Sequence, residues 1–133
     1  MRLLLDTHAF LWFLAGDPKL SDHARALIEE PRNERNVSVA SLWEIAIKVS
    51  VGKLEVNGTF AEVFPPQIES NAIRVLPIEP GHLDIVSRLP FHHRDPFDRL
   101  ILAQGLVEGL PILSRDSEFD NYSVERIWDT PAS

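Results

Sequence analysis

The chain has 133 residues, the size of one domain with its own core, and its 44% hydrophobic and 25% charged residues are ordinary for a globular protein. With no cysteine, disulfides, thiolate zinc sites and thiol nucleophiles are excluded. A net charge of −7 argues against a protein that coats nucleic acid, but not against a nuclease whose acids surround a metal.

The elements follow from local pattern. Arg2–Leu5 reads as a strand; its apolar run stops at Asp6, too short for a signal peptide or membrane span, so a cytoplasmic protein without membrane contact is expected. A helix follows at about Thr7–Leu14, and Asp17-Pro18 makes a turn. Ser21 caps a second helix reaching about Glu30. Pro31–Asn36 reads as a polar loop, Val37–Val39 as a strand, and Ala40–Val51 as a helix ended by Gly52. Phe60–Ser70 has helical character, with Pro65-Pro66 expected to interrupt or kink it. Ile73–Leu76 is a strand, Pro80–Leu89 a short helix, and Pro96–Glu108 the main helix, ended by Gly109. Pro111–Leu113 and Val124–Trp128 are the last strands. Short apolar strands alternating with helices predict an α/β domain over 1–133, with a parallel sheet covered on both faces. Right-handed crossovers then put every strand's carboxyl end on one edge, where such sheets bind ligands.

Acids recur at that edge. Asp6 directly follows the first strand, Glu44 lies early in the helix after Val37–Val39, Asp95 and Asp98 open the main helix, and Asp116 closely follows Pro111–Leu113. Each has a structural alternative. Asp6 and Asp116 are good helix caps, and Asp95-Pro96 is a standard helix start. Ser41-Leu42-Trp43-Glu44 matches a capping box, and Lys48 stands four residues after Glu44. Against that, the neighbours of Glu44 are apolar nearly all round its helix, which predicts burial, and a buried carboxylate without a cation is costly. Asp98 sits in a turn flanked by Phe97, Leu100 and Ile101 and is the strongest single candidate ligand. Five acids converging on one edge suggest a shared site, and oxygen donors suit Mg²⁺, with Mn²⁺ as a substitute, rather than zinc. Adjacent His92 and His93 lack helical ligand spacing. With His8, Arg94, Arg99 and Arg115 they are better read as phosphate contacts or, for the two histidines, as solvated loop. Thr7 and Ser114 join Arg99 and Arg115 as candidate substrate contacts.

Leu4-Leu5-Asp6-Thr7-His8, Ser38-Val39-Ala40-Ser41-Leu42-Trp43-Glu44-Ile45-Ala46, Asp95-Pro96-Phe97-Asp98-Arg99-Leu100-Ile101 and Ser114-Arg115-Asp116 together resemble a PIN domain, and more narrowly a VapC-type toxin of a type II toxin–antitoxin pair. The resemblance runs from Met1 to Trp128 and rests on the ordered set rather than on any one motif. It implies a three-layer domain with a parallel sheet of four or five strands between helices, Mg²⁺-dependent endoribonuclease activity, a homodimer and a small cognate antitoxin. Carried over, the catalytic and metal positions are Asp6, Glu44, Asp98 and Asp116, with Asp95 as an auxiliary acid. His8 and Ser114 depart from the commonest residues at their positions. Two other functions remain open: a PIN-like protein-interaction module whose carboxylates are structural, and a metal-dependent phosphatase of small phosphoesters using Asp6 as nucleophile. The second lacks the usual Asp two residues on, where His8 stands. Phe10–Leu14 is core by default, with part of it available to an antitoxin or a second copy.

Overall fold

A computed structural model of the chain describes residues 1–92 and 95–130. In chain order the elements are β1 (Arg2–Leu5), α1 (Thr7–Ala15), α2 (Asp22–Glu29), β2 (Glu34–Ser38), α3 (Val39–Ser50), α4 (Phe60–Ser70), β3 (Arg74–Leu76), α5 (Pro80–Arg88), α6 (Pro96–Glu108), β4 (Ile112–Leu113), a 3₁₀ turn (Ser117–Asn121) and β5 (Arg126–Ile127). The five strands form one parallel sheet in the order β3-β2-β1-β4-β5. This is the three-layer α/β arrangement that the alternation of strands and helices predicts.

The central strand shows why. Leu3, Leu4 and Leu5 are all fully buried, yet successive side chains on a strand point to opposite faces. Leu3 and Leu5 join a core with Phe10 of α1, Ala24 and Ile28 of α2, and Phe64 and Ile68 of α4. Leu4 joins the other core with Leu100, Ile101 and Leu102 of α6 and Ile112 of β4. Each buried leucine contributes roughly 1.5–3 kcal/mol, so β1 is anchored from both sides. The path runs outward from β1 to β2 and β3, then returns through α5 and α6 to β4 on the other flank of β1. The order therefore reverses between β1 and β4, which opens a crevice beyond their carboxyl ends.

Two expectations change. The strand expected at Val37–Val39 is longer and earlier: β2 begins at Glu34, inside the expected Pro31–Asn36 loop, paired residue for residue with β1 from Arg2↔Glu34. Glu34 bridges Arg2 of β1 at 2.9 Å and Arg74 of β3 at 2.7 Å, so polar residues stabilise the open end of the sheet across strands. Pro65-Pro66 does not interrupt α4, which runs unbroken over both. The carbonyls deprived of partners are those of Ala61 and Glu62, one turn back. Both residues are exposed and open to water, while Phe64 and Ile68 hold the opposite face in the core. A Thr59–Glu62 capping box secures the first turn.

Candidate active site

The crevice between β1 and β4 holds a cavity of about 290 Å³ lined by Asp6, His8, Trp12, Arg115 and Asp116. Two of the predicted acids meet here because Asp6 directly follows β1 and Asp116 lies three residues beyond β4, the two strands at the topological reversal. Asp6 is buried, and its Oδ1 caps α1 by accepting from the Ala9 N–H at 2.8 Å. Burial raises its carboxyl above the usual range, and the nearby Asp116 charge adds to that. The Ser114 side chain, the Ala9 N–H and His8 act in the opposite sense. Asp116 is half-buried and caps the 3₁₀ turn, accepting from the Glu118 N–H at 2.9 Å. The Ser114 hydroxyl is buried and accepts from the Asp116 N–H at 3.0 Å. Ser114 thus ties the two acids together. Capping and ligation are compatible roles for a carboxylate, which has two oxygens and several lone pairs.

Glu44 approaches from α3. One oxygen accepts from the Thr7 hydroxyl at 2.8 Å and the other pairs with Lys48 at 3.1 Å. An ionised carboxylate only accepts, so Thr7 donates its one proton to Glu44, and the 2.9 Å contact with Ser41 runs from the Ser41 hydroxyl to Thr7. Thr7 is buried in this network, one residue from Asp6. The capping box expected at Ser41–Glu44 does not form, because α3 starts earlier with Ser38 as its cap. Nor is α3 buried all round. Its inward face carries Ala40, Ser41, Glu44 and Ile45, whereas Trp43 and Ile47 are exposed.

Asp95 is exposed and caps α6, its Oδ1 accepting from the Asp98 N–H at 2.9 Å. Asp98 is half-buried in the first turn of α6, and Phe97 beside it meets Trp43 of α3 edge-to-face at 5.1 Å. Among the described residues, no three acidic or histidine side chains stand close enough together to hold a metal ion. Oxygen donors are nonetheless the right kind for Mg²⁺, which keeps several waters and is commonly held by only one or two carboxylates together with substrate phosphate. The adjoining Asp6 and Asp116 fit that pattern, and the penalty on Asp6 is one a cation relieves.

Arg99 departs from its expected role as a phosphate contact. It is buried, and its guanidinium donates to the carbonyls of Val86, Leu89 and Pro90 at 3.0–3.2 Å, with Phe91 stacked on it at 4.2 Å. It ties the end of α5 to α6. Arg115 is exposed at the cavity, over the Trp12 ring at 4.9 Å. His93 and Arg94, expected as phosphate contacts, lie outside the described residues. Trp12 is the lining residue that sequence reasoning treated only as core or groove. The available signal was its spacing of four from His8 on the helix opened by Asp6.

The sequence matches the PIN domain model over residues 3–125, and the chain belongs to the PIN domain family. Solved structures share the fold. VapBC2 from Rickettsia felis, bound to a DNA fragment from its promoter, matches at 15% identity and TM-score 0.66, covering 97% of this chain and 100% of that one. FitAcB from Neisseria gonorrhoeae matches at 20% identity and TM-score 0.64, covering 96% of each chain. VapBC-1 from nontypeable Haemophilus influenzae matches at 15% identity and TM-score 0.65, covering 96% of this chain and 97% of that one. None of the curated proteins matches the sequence.

Proposed function

We propose that this chain is the toxin of a type II toxin–antitoxin pair and a Mg²⁺-dependent endoribonuclease, with Mn²⁺ as a substitute ion. The observation that carries this reading is the Asp6–Asp116 pair in the crevice at the sheet's topological reversal, with Arg115 at its mouth, in a PIN domain. Asp6 and Asp116, which line the cavity, would hold the ion; Asp98, outside that lining, is assigned as a further ligand by the family resemblance, and Glu44 would tune the site through Thr7. When bound, the ion supplies charge stabilisation to a phosphodiester and orients water for attack on phosphorus. Water adds to phosphorus and the bond to one ribose oxygen breaks, leaving a phosphomonoester and a hydroxyl. Arg115 steadies the phosphate, while Ser114 and Thr7 keep the acids in place. Protein purified without its partner is expected to cleave RNA with Mg²⁺ and to stop with chelator. Asp98→Asn and Asp6→Asn should each lower the rate at least about 100-fold; if Asp98→Asn cleaves as well as the parent, the ligand assignment is wrong. A PIN-like interaction module with structural carboxylates draws support from the Glu44–Lys48 pair. Unchanged melting with and without Mg²⁺ or Mn²⁺, together with no cleavage, favours that reading.

Partners follow from two surfaces. A cavity of about 390 Å³ between α1, the segment 54–57 and α4 is lined by Leu11, Leu14, Leu54, Val56, Val63 and Phe64, and suits an apolar segment of a small antitoxin. VapBC2, FitAcB and VapBC-1, whose fold this chain shares, favour a toxin–antitoxin setting. An Arg or Lys from such a partner can compete with the metal at the acids. Trp43 and Ile47 of α3 and Val51 at its C-terminal cap, spaced four apart and all exposed, form an apolar stripe suited to a second copy. A cytoplasmic location fits an RNA target, and no helix among the described residues is long and apolar enough to cross a membrane.

A further inference from the structure

The acids account for only part of the lining of the crevice. In the same cavity His8 and Trp12 stack, ring centroids 5.3 Å apart and planes 24° from parallel. The stack arises because the two residues are four apart on α1, on one helical face. Trp128 closes one side of Trp12 edge-on at 6.0 Å, which fixes the indole. His8 is exposed. Two cations also address the indole: Arg115 at 4.9 Å from the ring centre and Lys19 at 5.9 Å. Arg115 shares the cavity with Asp6 and Asp116, yet its described contact is with the ring and not with a carboxylate.

We infer that the His8–Trp12 wall is a base-stacking subsite for the nucleotide next to the scissile phosphate of single-stranded RNA. The inference rests on the ribonuclease reading and adds to it a second recognition element of different chemistry. A nucleotide has an anionic end and a flat π-face, and the crevice offers a match for each within one cavity. That cavity lies near the lower end of the roughly 300–1,000 Å³ range of ligand pockets, suited to one nucleotide rather than a duplex. The base extends the stack on the imidazole or takes the ring face that Arg115 covers. In the second case the guanidinium moves from ring to phosphate, exchanging a cation–π contact for a charge-assisted hydrogen bond, the stronger of the two. Lys19 offsets backbone charge on the same side, which matters in a chain of net charge −7. A stacking subsite tolerates any base and prefers purines only by their larger face.

The test separates base from phosphate. The full chain in Mg²⁺ is titrated with AMP and with ribose 5-phosphate, which has the phosphate and sugar but no base. AMP is expected to bind at least about fivefold more tightly, in line with stacking on one aromatic side chain. His8→Ala and Trp12→Ala should each bring the ratio towards one, and Trp12→Phe should keep most of it. On RNA, Trp12→Ala should raise KM about five- to 100-fold with kcat changed far less. Equal binding of the two ligands by the parent overturns the subsite, even if RNA is cleaved. A ratio unchanged by His8→Ala, which lies at an exposed position and keeps the test decisive if Trp12→Ala fails to fold, overturns the role of the stack. If the parent cleaves no RNA, the ribonuclease reading fails, while a base preference lost in both variants still establishes the stacking surface.

Discussion

Asp6 joins two demands in one side chain. It caps α1, and it lies buried beside a second acid at the mouth of the crevice. Its carboxyl is held above the ordinary value, so between the unfolded and folded values the native chain binds more protons than the unfolded one. Stability contributed by Asp6 is therefore fully present below the unfolded pKa and is lost as pH rises through the folded one. Asp6→Asn keeps the cap acceptor and removes that loss. In chelator at pH 7 it is expected to melt higher than the parent, with the gap closing towards pH 4, as thermal scans at the two pH values would show. A lower melting temperature at pH 7 would mean that the ionised acid is already compensated without metal. Lys48 performs such compensation for Glu44, at 3.1 Å. The Asp6, Asp95 and Asp116 caps were legible in the sequence as alternatives to function. All three are realised, because a helix start and the edge of a sheet are the same place in this fold.

Helices α4 and α6 show how an element survives or depends on its neighbours. In α4 the two prolines cost hydrogen bonds but face water, so Pro65→Ala with Pro66→Ala is expected to stabilise the chain by about 1–3 kcal/mol, less than two full helix-interior prolines would cost. Part of the gain is offset because proline also restricts the unfolded chain. Denaturant melts read this directly; a loss of stability would mean that the rings pack rather than merely sit in solvent. In α6 Gly105 presses on the sheet. A Cβ there would lie 3.1 Å from Ile112 Cδ1 and Cγ1 and 3.2 Å from the Leu110 carbonyl. Gly105→Ala should therefore destabilise by about 1–3 kcal/mol despite alanine's better helix propensity. A neutral or stabilising result would show that β4 can shift away from α6. The same crossing bears on the proposed site, since α6 carries Asp98 and β4 leads to Asp116.

Across the molecule, the proposed pairing with a second copy rests on the exposed apolar stripe that begins on α3. Trp43 is 57%, Ile47 39% and Val51 59% exposed, more apolar surface in one line than a solitary helix needs to show. Trp43→Lys with Ile47→Glu is expected to shift the chain from dimer to monomer in sedimentation while leaving its helical content intact. A parent chain that already sediments as a monomer at high micromolar concentration sinks the dimer. The stripe also explains the expectation of an all-round buried α3. Apolar content alone does not distinguish a core face from an interface face, and only the packing of Ala40, Ser41, Glu44 and Ile45 shows which side is inward.

Local chemistry determined much of this protein. The strand at Arg2–Leu5, the Ser21 cap, the Gly109 stop and the Pro96 start are readable because a residue's own conformational preference decides them, and the parallel order follows from their alternation. Asp6, Asp95, Asp98 and Asp116 were legible as candidates because each stands at an element start, whereas Glu44, in the middle of α3, stood out only by its apolar neighbours. Tertiary structure decided which acids meet. Asp6 and Asp116 share a crevice because β1 and β4 are neighbours across the reversal, 110 residues apart in sequence. It turned Arg99 inward to three carbonyls and left Arg115 over Trp12 at the mouth of the site. It lengthened β2 into a polar stretch through cross-strand ion pairs and carried α4 through two prolines. The division has one physical cause. Propensity acts within a turn or two of chain, whereas burial, pairing and charge compensation depend on what the fold brings alongside.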